Sequence, residues 1–558
     1  MIFFLLLGWI TSVRAQDLSQ SAGWLNLVHY QKTLTGFKSE ADGKDFFLSP
    51  SGRTNPVSEL EATIAALGDT QKTYGKLKHP AACVFTSRKI FLEKNGHSFP
   101  EVSCPDFVNW RKALDVESLS LVFASSYPNN PASMFGHTFL RINTAGGGNP
   151  LLDYAINFAA TTGEDGGVEF AFLGVVGGYE GHYSLAPYFI KVNEYNNSEA
   201  RDLWEYPLKV DKDSINLMLA HLWELESTTH FDYYFLDENC SWQILRLLEA
   251  SNPELKLSQD SPFYVIPAET VRILGKANLI QEPIYRPSLH KTYLATTDED
   301  DKQLLKMRIQ ERKGELKEKK RYHDMLVQKA KSTTSSPPPI VPVAKNRPDL
   351  GHGFRRVNYT EGGDYRRLGL RLAQHDVLDF DVGHDQWSTL DVLRATVENQ
   401  KDHFFIREMS VVDVLSLQNI DGLGFEPSWF LKFGAINPRE FRCENCLTAG
   451  LEAGLGTGIK SDTFIATLFA STRSYGMNPF AKDLYLGIGP RLLLGYSYES
   501  IKILMDTQKI FSPSKDFNLS TEFSLNFKLD QDLALRLHQM IQQKEKSLEN
   551  GISLLYYF

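Results

Sequence analysis

Residues 523–538 read FSLNFKLDQDLALRLH. Phe523, Leu525, Phe527 and Leu529 share one side of an alternating run, DQD at 530–532 supplies a turn, and Leu533, Leu535 and Leu537 resume the alternation. A period of two is what a strand with one apolar face requires, because successive side chains point to opposite sides of the pleat. The pattern recurs outward from this hairpin. LGLRLA aligns Leu368, Leu370 and Leu372, LYLGIG aligns Leu484, Leu486 and Ile488, and the closing ISLLYYF aligns Ile552, Leu554, Tyr556 and Phe558. Arg, Lys, His, Asp and Glu recur on the opposite face. A soluble sandwich alternates as well, but a charge-rich inner face suits a water-filled or polar lumen better than a dry core. Short alternating segments separated by turns predict an antiparallel β-barrel of roughly ten to twelve strands, of the outer-membrane kind. The reading assigns it residues 349–558 and implies the barrel-assembly machinery as a partner. GLGTG at 454–458 belongs to a strand or turn and is no nucleotide fingerprint.

Upstream, STTSSPPPIVPVAKNRP is a Pro/Ser linker, and before it Asp298–Lys331 is dense in charge. Acidic residues lead and basic ones follow, as a helix dipole prefers, so 298–348 reads as a solvated helix plus linker. At the other end, MIFFLLLGWITSVRA has the short apolar core and small-residue ending of a secretory signal, cleaved after Ala15. No later run is long and apolar enough for a membrane helix. The chain has 558 residues, a formal net charge of −9 and a pI near 5.9. Nothing in that balance provides a basic surface for nucleic acid, and that class is set aside.

Two stretches between signal and linker carry chemistry. SSYPNNPASMFGHTFLRIN at 125–143 places His137 at the head of an apolar strand. FDYYFLDENCSWQILRLLEA at 231–250 places Cys240 where Ile244, Leu245, Leu247 and Leu248 begin the apolar face of a helix. Free N–H groups at a helix start favour a thiolate, and an imidazole can take and return its proton. A lone cysteine before a helix is otherwise a small buried hydrophobe. Five cysteines in an exported chain suggest pairs plus one thiol. Cys83 and Cys104 bracket a short segment and can pair, and Cys443 with Cys446 in CENC makes a plausible small loop. Cys240 is left free. His137, His182, His230, Asp232 and Cys240 lack compact ligand spacing, so no metal or other cofactor is expected.

NPASMFGHTFLRI followed by YYFLDENCSWQILRLLE resembles the Lnb N-terminal periplasmic domain family. That family looks like a circularly permuted branch of the papain-like NlpC and lecithin–retinol acyltransferase group, with the histidine strand before the cysteine helix. The resemblance extends over roughly residues 20–290 and implies His137 as general base and Cys240 as nucleophile, forming a thioester. Papain-like sites orient the imidazole through a third, polar residue. Asn157, on the next predicted strand, is the choice, with Asp153 its rival. Asn239 and the backbone N–H groups of its turn are oxyanion candidates, and Tyr127 and His182 are candidates for substrate contact.

The expected fold is α+β: a helical cap over 16–115, a permuted papain-like domain over 116–297, then the barrel. The glycine- and aromatic-rich FAFLGVVGGYEGHYSLAPYF suits a loop lining an apolar groove. The expected function is a periplasmic cysteine-dependent acyltransferase or acylhydrolase acting on lipid or lipoprotein. A cell-wall peptidase or amidase using the same pair is the alternative, and a non-catalytic barrel protein with a binding domain is the other.

Overall fold

A computed structural model describes residues 17–76, 78–126, 134–146, 148–161, 173–174, 177–235, 237–260, 264–312, 314, 316–331, 347–420, 427–436, 447–476, 485–512, 517–543 and 547–558. The signal segment, nearly all of the Pro/Ser linker, Tyr127, Cys443 and Cys446 lie outside these residues, as do 170–172 and 175–176 of the expected groove loop, whose later part, Tyr179–Pro187, is a strand. The chain forms two compact units, one running up to Ser125 and resuming over Gly136–Leu294, the other over Ala295–Phe558.

The first unit is built on an antiparallel sheet of seven strands: β1 (Val116–Ala124), β2 (His137–Thr144), β3 (Tyr154–Thr161), β4 (Tyr179–Pro187), β5 (Leu203–Pro207), β6 (Phe231–Tyr233) and β7 (Ile284–Arg286). Their order is β6-β4-β3-β2-β1-β5-β7. The helix Cys240–Ser251 is buried along its whole length. The longer helix Lys212–Thr228 is capped by Asp211, whose side chain accepts from the Ser214 N–H.

The N-terminal region holds the helices Ala22–Leu27, Pro56–Gly68, Ala81–Val84, Thr86–Lys94 and Pro105–Ala113. The region is less helical than the expected cap. In WLNLVHYQK the helix stops at Leu27, His29 takes a left-handed φ of 53°, and Tyr30–Thr33 turns into a hairpin strand. The helix Pro56–Gly68 is capped by Asn55, with Pro56 following. Proline's fixed φ and missing N–H suit a first helical turn. KDFFLSPSGRTNP holds a 3-10 turn at Lys44–Phe46 and no strand.

Buried ions tie the region to the sheet unit. Arg88, with no exposed surface, pairs with Glu59 at 2.7 Å and Glu224 at 2.6 Å. The Cys240 helix is held in the same way: Trp242 Nε1 donates to Glu40 at 2.6 Å, and Arg246 pairs with Glu40 and Glu249 at 3.2 and 2.8 Å. The N-terminal region is therefore structurally part of the unit that carries the cysteine. A disulfide joins Cys83 to Cys104, and among the described residues Cys240 is the free cysteine.

The charged segment forms two helices, Glu299–Arg312 and Lys319–Lys331, and not one solvated rod. Met307, Leu316 and Tyr322 are buried together, which explains the break.

Twelve antiparallel strands close the second unit: β8 (Arg356–Gly362), β9 (Tyr365–His375), β10 (Thr389–Gln400), β11 (His403–Ser416), β12 (Ser428–Ile436), β13 (Thr448–Lys460), β14 (Phe464–Tyr475), β15 (Tyr485–Tyr498), β16 (Ile501–Phe511), β17 (Phe517–Asp530), β18 (Leu533–Gln542) and β19 (Ser547–Tyr557). β19 pairs with β8 from Arg356↔Tyr557 to Gly362↔Gly551, leaving no edge. Leu368, Leu455, Leu468, Ile488 and Ile552 are each more than half exposed on the outside. Such an apolar skin is stable against hydrocarbon and not against water. No described helix is long and apolar enough to cross a membrane.

Inward rows are ionic. Arg367 pairs with Glu398 at 2.7 Å, Arg394 with Asp391 at 2.8 Å, Lys432 with Glu408 at 2.7 Å and Arg491 with Asp506 at 2.7 Å. The lumen is polar, as expected, but one end of it is not simply water. The segment Asp376–Ser388, joining β9 to β10, bonds to strands far around the wall. Trp387 Nε1 donates to the Ser461 carbonyl at 3.0 Å, Asn526 to the Leu378 carbonyl at 2.8 Å, and Lys502 to Asp381 at 2.7 Å. Leu378 and Trp387 enter an apolar cluster with Leu415, Phe430, Ile465, Phe469 and Leu504. This segment plugs the rim at which the barrel chain begins and ends. Arg394, Arg491, Arg536, Asp413, Asp506 and Glu522 contribute to the lining of a cavity of 190 Å³ beside it.

Candidate active site

His137 opens β2, and the residue before it fixes how it enters. Gly136 has φ +95°, and a Cβ there would lie 2.8 Å from the Phe123 ring and 2.9 Å from the Ala124 carbonyl. Only glycine fits. His137 Nε2 and Asn157 Oδ1, on the neighbouring strand β3, are 2.7 Å apart. That bond places the proton on Nε2 and leaves Nδ1 as the imidazole's basic nitrogen. Asp153, the rival for this role, is engaged elsewhere, with Arg141 at 2.9 Å and Thr144 Oγ1 at 2.8 Å.

Cys240 is the first residue of its helix because Asn239 caps it. Asn239 Oδ1 accepts from the Ser241 and Trp242 N–H groups at 2.9 and 3.2 Å, and its amide donates to the Phe235 and Val265 carbonyls at 3.0 and 2.7 Å. The Asn239 side chain is thus spent on the turn that presents the thiol. Cys240 Sγ lies 4.0 Å from Ser241 Oγ, and His137 and the Thr138 backbone are near enough to favour its thiolate. Burial pushes Cys240 up, but the charge and hydrogen bond of His137, the Thr138 backbone and Ser241 outweigh it and bring the thiol down to about 7. A buried cysteine that ionises near neutrality is poised as a nucleophile.

Two tyrosines complete the surroundings, and neither was singled out from sequence. Tyr233 neighbours Cys240 and interacts with it electrostatically. Burial, then the adjacent Cys240 charge, keeps it well above the ordinary phenol range, so it remains a donor. The Tyr195 ring lies 5.3 Å from His137. The one sequence signal was position: Tyr233 ends the FDYYF strand that leads to the cysteine.

His182 stands apart from the pair, half-buried on β4, where it meets Glu180 at 3.3 Å and the His230 ring at 5.8 Å. Among the described residues, then, the fold gathers Cys240, His137 and Asn157, uses Asn239 as the helix cap, and leaves His182 outside. A half-buried acidic patch flanks the turn. Burial, then Glu40, Asp237, Asp42 and Asp232, push Glu238 up to about 9.

Taken together, the closed apolar-skinned barrel and the upstream sheet unit make this an outer-membrane barrel protein with a periplasmic domain. Residues 106–277, which contain Cys240, His137 and Asn157, match the model of the Lnb N-terminal periplasmic domain. Residues 16–95 and 345–558 match two further models, each described as a domain of unknown function (DUF7843 and DUF7840). No curated protein matches the chain. Solved structures similar to the barrel include the KdgM porin in complex with disordered oligogalacturonate, 10% identical with a TM-score of 0.25, covering 37% of this chain and 98% of that one. The NanC porin is 9% identical with a TM-score of 0.24, over 37% and 98%. OmpTΔL8 of Vibrio cholerae is 10% identical with a TM-score of 0.18, again over 37% and 98%. The barrel is defined by the chain's own strand pairing.

Proposed function

We propose that the periplasmic domain is a cysteine-dependent acyltransferase or acylhydrolase of permuted papain-like type, acting on lipid or lipoprotein through a thioester. On this reading 116–297 is the catalytic domain, 16–115 its cap, and 298–348 the connection to the barrel. The observation that carries it is the relay from Asn157 through His137 to a thiol brought down to about 7. His137 Nδ1 takes the thiol proton, and the thiolate sulfur attacks an ester or amide carbonyl carbon. The C–O or C–N bond breaks as the imidazolium returns the proton to the leaving group, and the acyl group stays on sulfur. An amine or water, deprotonated by His137, then attacks the thioester and releases the thiolate. Tyr233 O–H and the Cys240 N–H are the candidate oxyanion donors. The aromatic wall of Tyr195 and Tyr233, and a barrel that keeps the domain beside a bilayer, favour an acyl-chain substrate over murein.

The test is the intact mass of the native detergent-extracted protein, wild type against Cys240→Ser, before and after neutral hydroxylamine. A fatty-acyl mass that hydroxylamine removes from the wild type, absent as a thioester in the variant, is the expected result. A muropeptide adduct would replace the lipid reading with the amidase one. A Cys240 that carries no adduct and ignores thiol reagents would remove catalysis altogether.

A further inference from the structure

Three histidines meet at the plugged rim of the barrel, from separate stretches of chain: His352 ahead of β8, His375 at the end of β9, and His384 within the plug. All are nine-tenths or more buried, at 5%, 2% and 9% exposure. One potential ligand atom of each lies within 4.8 Å of the others.

His352 Nδ1 lies 2.6 Å from the Gly353 carbonyl, which only accepts, so that nitrogen carries the proton and Nε2 is a lone pair. His352 Nε2 and His375 Nδ1 are 3.1 Å apart, and the rings are inclined by only 15° with centroids 5.4 Å apart. His375 Nε2 stands 3.4 Å from the Asp381 carboxylate, which Lys502 holds, but makes no hydrogen bond among the described residues. His384 stacks against both rings, at 4.5 and 4.3 Å, and neither of its buried ring nitrogens has a partner among the described residues. Three buried imidazole nitrogens are thus left unpaired in one small space, where a bound ion would satisfy them.

We propose that His352, His375 and His384 form a binding site for a transition-metal ion of the zinc class, which pins the plug to the barrel wall. The nitrogen spacing is close to the edge of a tetrahedron about zinc, roughly 3.3 Å for Zn–N bonds of about 2.0 Å. The Gly353 carbonyl and the Asp381 carboxylate are the outer partners that fix metal-ligating imidazoles in one tautomer. His384 turns an unpaired ring nitrogen into the third position, and water takes the fourth. The ligands come from three segments, so the metal joins the chain ahead of the barrel, the barrel wall and the plug. No sequence motif announces it.

The experiment uses the full-length protein in detergent, loaded with Zn²⁺ alone, freed of excess by dialysis and analysed for metal by mass spectrometry. Wild type is expected to retain about one zinc per chain, and His384→Ala less than about a tenth of that. Heat-modifiable gel mobility reports whether each barrel is folded. A second readout needs no variant: in the folded wild type, zinc should slow diethylpyrocarbonate modification of the three histidines at least about tenfold, as metal occupies the lone pairs the reagent needs. Folded wild type that retains no zinc overturns the proposal. Zinc that His384→Ala retains equally, or that leaves the three histidines equally reactive, overturns it too.

Discussion

Replacing His137 with alanine separates the forces acting on the Cys240 thiol. In the wild type, burial raises the thiol, and the charge and hydrogen bond of His137, with smaller help from the Thr138 backbone and Ser241, bring it from 9.0 to about 7. His137→Ala removes the largest opposing influence and leaves burial in place, so the thiol returns to at least its ordinary value. Two units correspond to about 2.7 kcal/mol of preference for the thiolate. At pH 7 the thiolate fraction then falls from about a half to about one in a hundred, roughly a 50-fold loss of nucleophile. The assay is the pH dependence of Cys240 alkylation by iodoacetamide, followed by intact mass, with folding checked by the disulfide-linked domain's near-ultraviolet signal. Burial slows both proteins equally, so the midpoint and not the absolute rate carries the comparison. The wild-type rate should rise through pH 7, and the variant's should still be rising near 9. A wild-type midpoint near 9, or a variant midpoint still near 7, would refute the coupling of these two residues.

Cys83 and Cys104 close a loop of 21 residues. Replacing both with alanine should therefore lower the stability of the periplasmic domain by about 3 kcal/mol, read by denaturant unfolding with and without reductant. Leu554 is about half exposed on the outer face of β19, and Leu554→Arg should cost about 2–4 kcal/mol in lipid-embedded unfolding; an unchanged stability would mean that face does not meet hydrocarbon. Glu238 is raised from 4.5 to about 9, so between those values the native state holds a proton that the unfolded chain has lost. Stability should fall as pH rises across that window, and Glu238→Gln should flatten the slope of Tm between pH 5 and pH 8; a steeper slope would contradict the burial of that carboxyl.

Alternation made the barrel legible. Leu368, Leu370, Ile552 and Leu554 stand on the outer face where a period of two puts them, because a strand's side-chain direction depends on local geometry alone. The cysteine helix was legible for a related reason: Asn239 followed by an apolar helical face marks a capped start. Local rules failed where partners distant in sequence decide. The break of the charged segment into two helices comes from Met307, Leu316 and Tyr322 packing together. The plug comes from Asp376–Ser388 finding acceptors and donors on strands more than seventy residues later, Ser461 among them.

The sequence by itself determined that the C-terminal part is built of alternating strands, which face of the quoted strands is apolar, and that one thiol opens a helix. Those properties follow from neighbouring residues and the fixed periodicities of the backbone. The tertiary structure alone decided that Asn157 and not Asp153 holds His137, that Tyr233 reaches Cys240, and that three scattered histidines share one buried space. Each of those depends on strand register and on which nearby groups are already paired, and no local pattern encodes either.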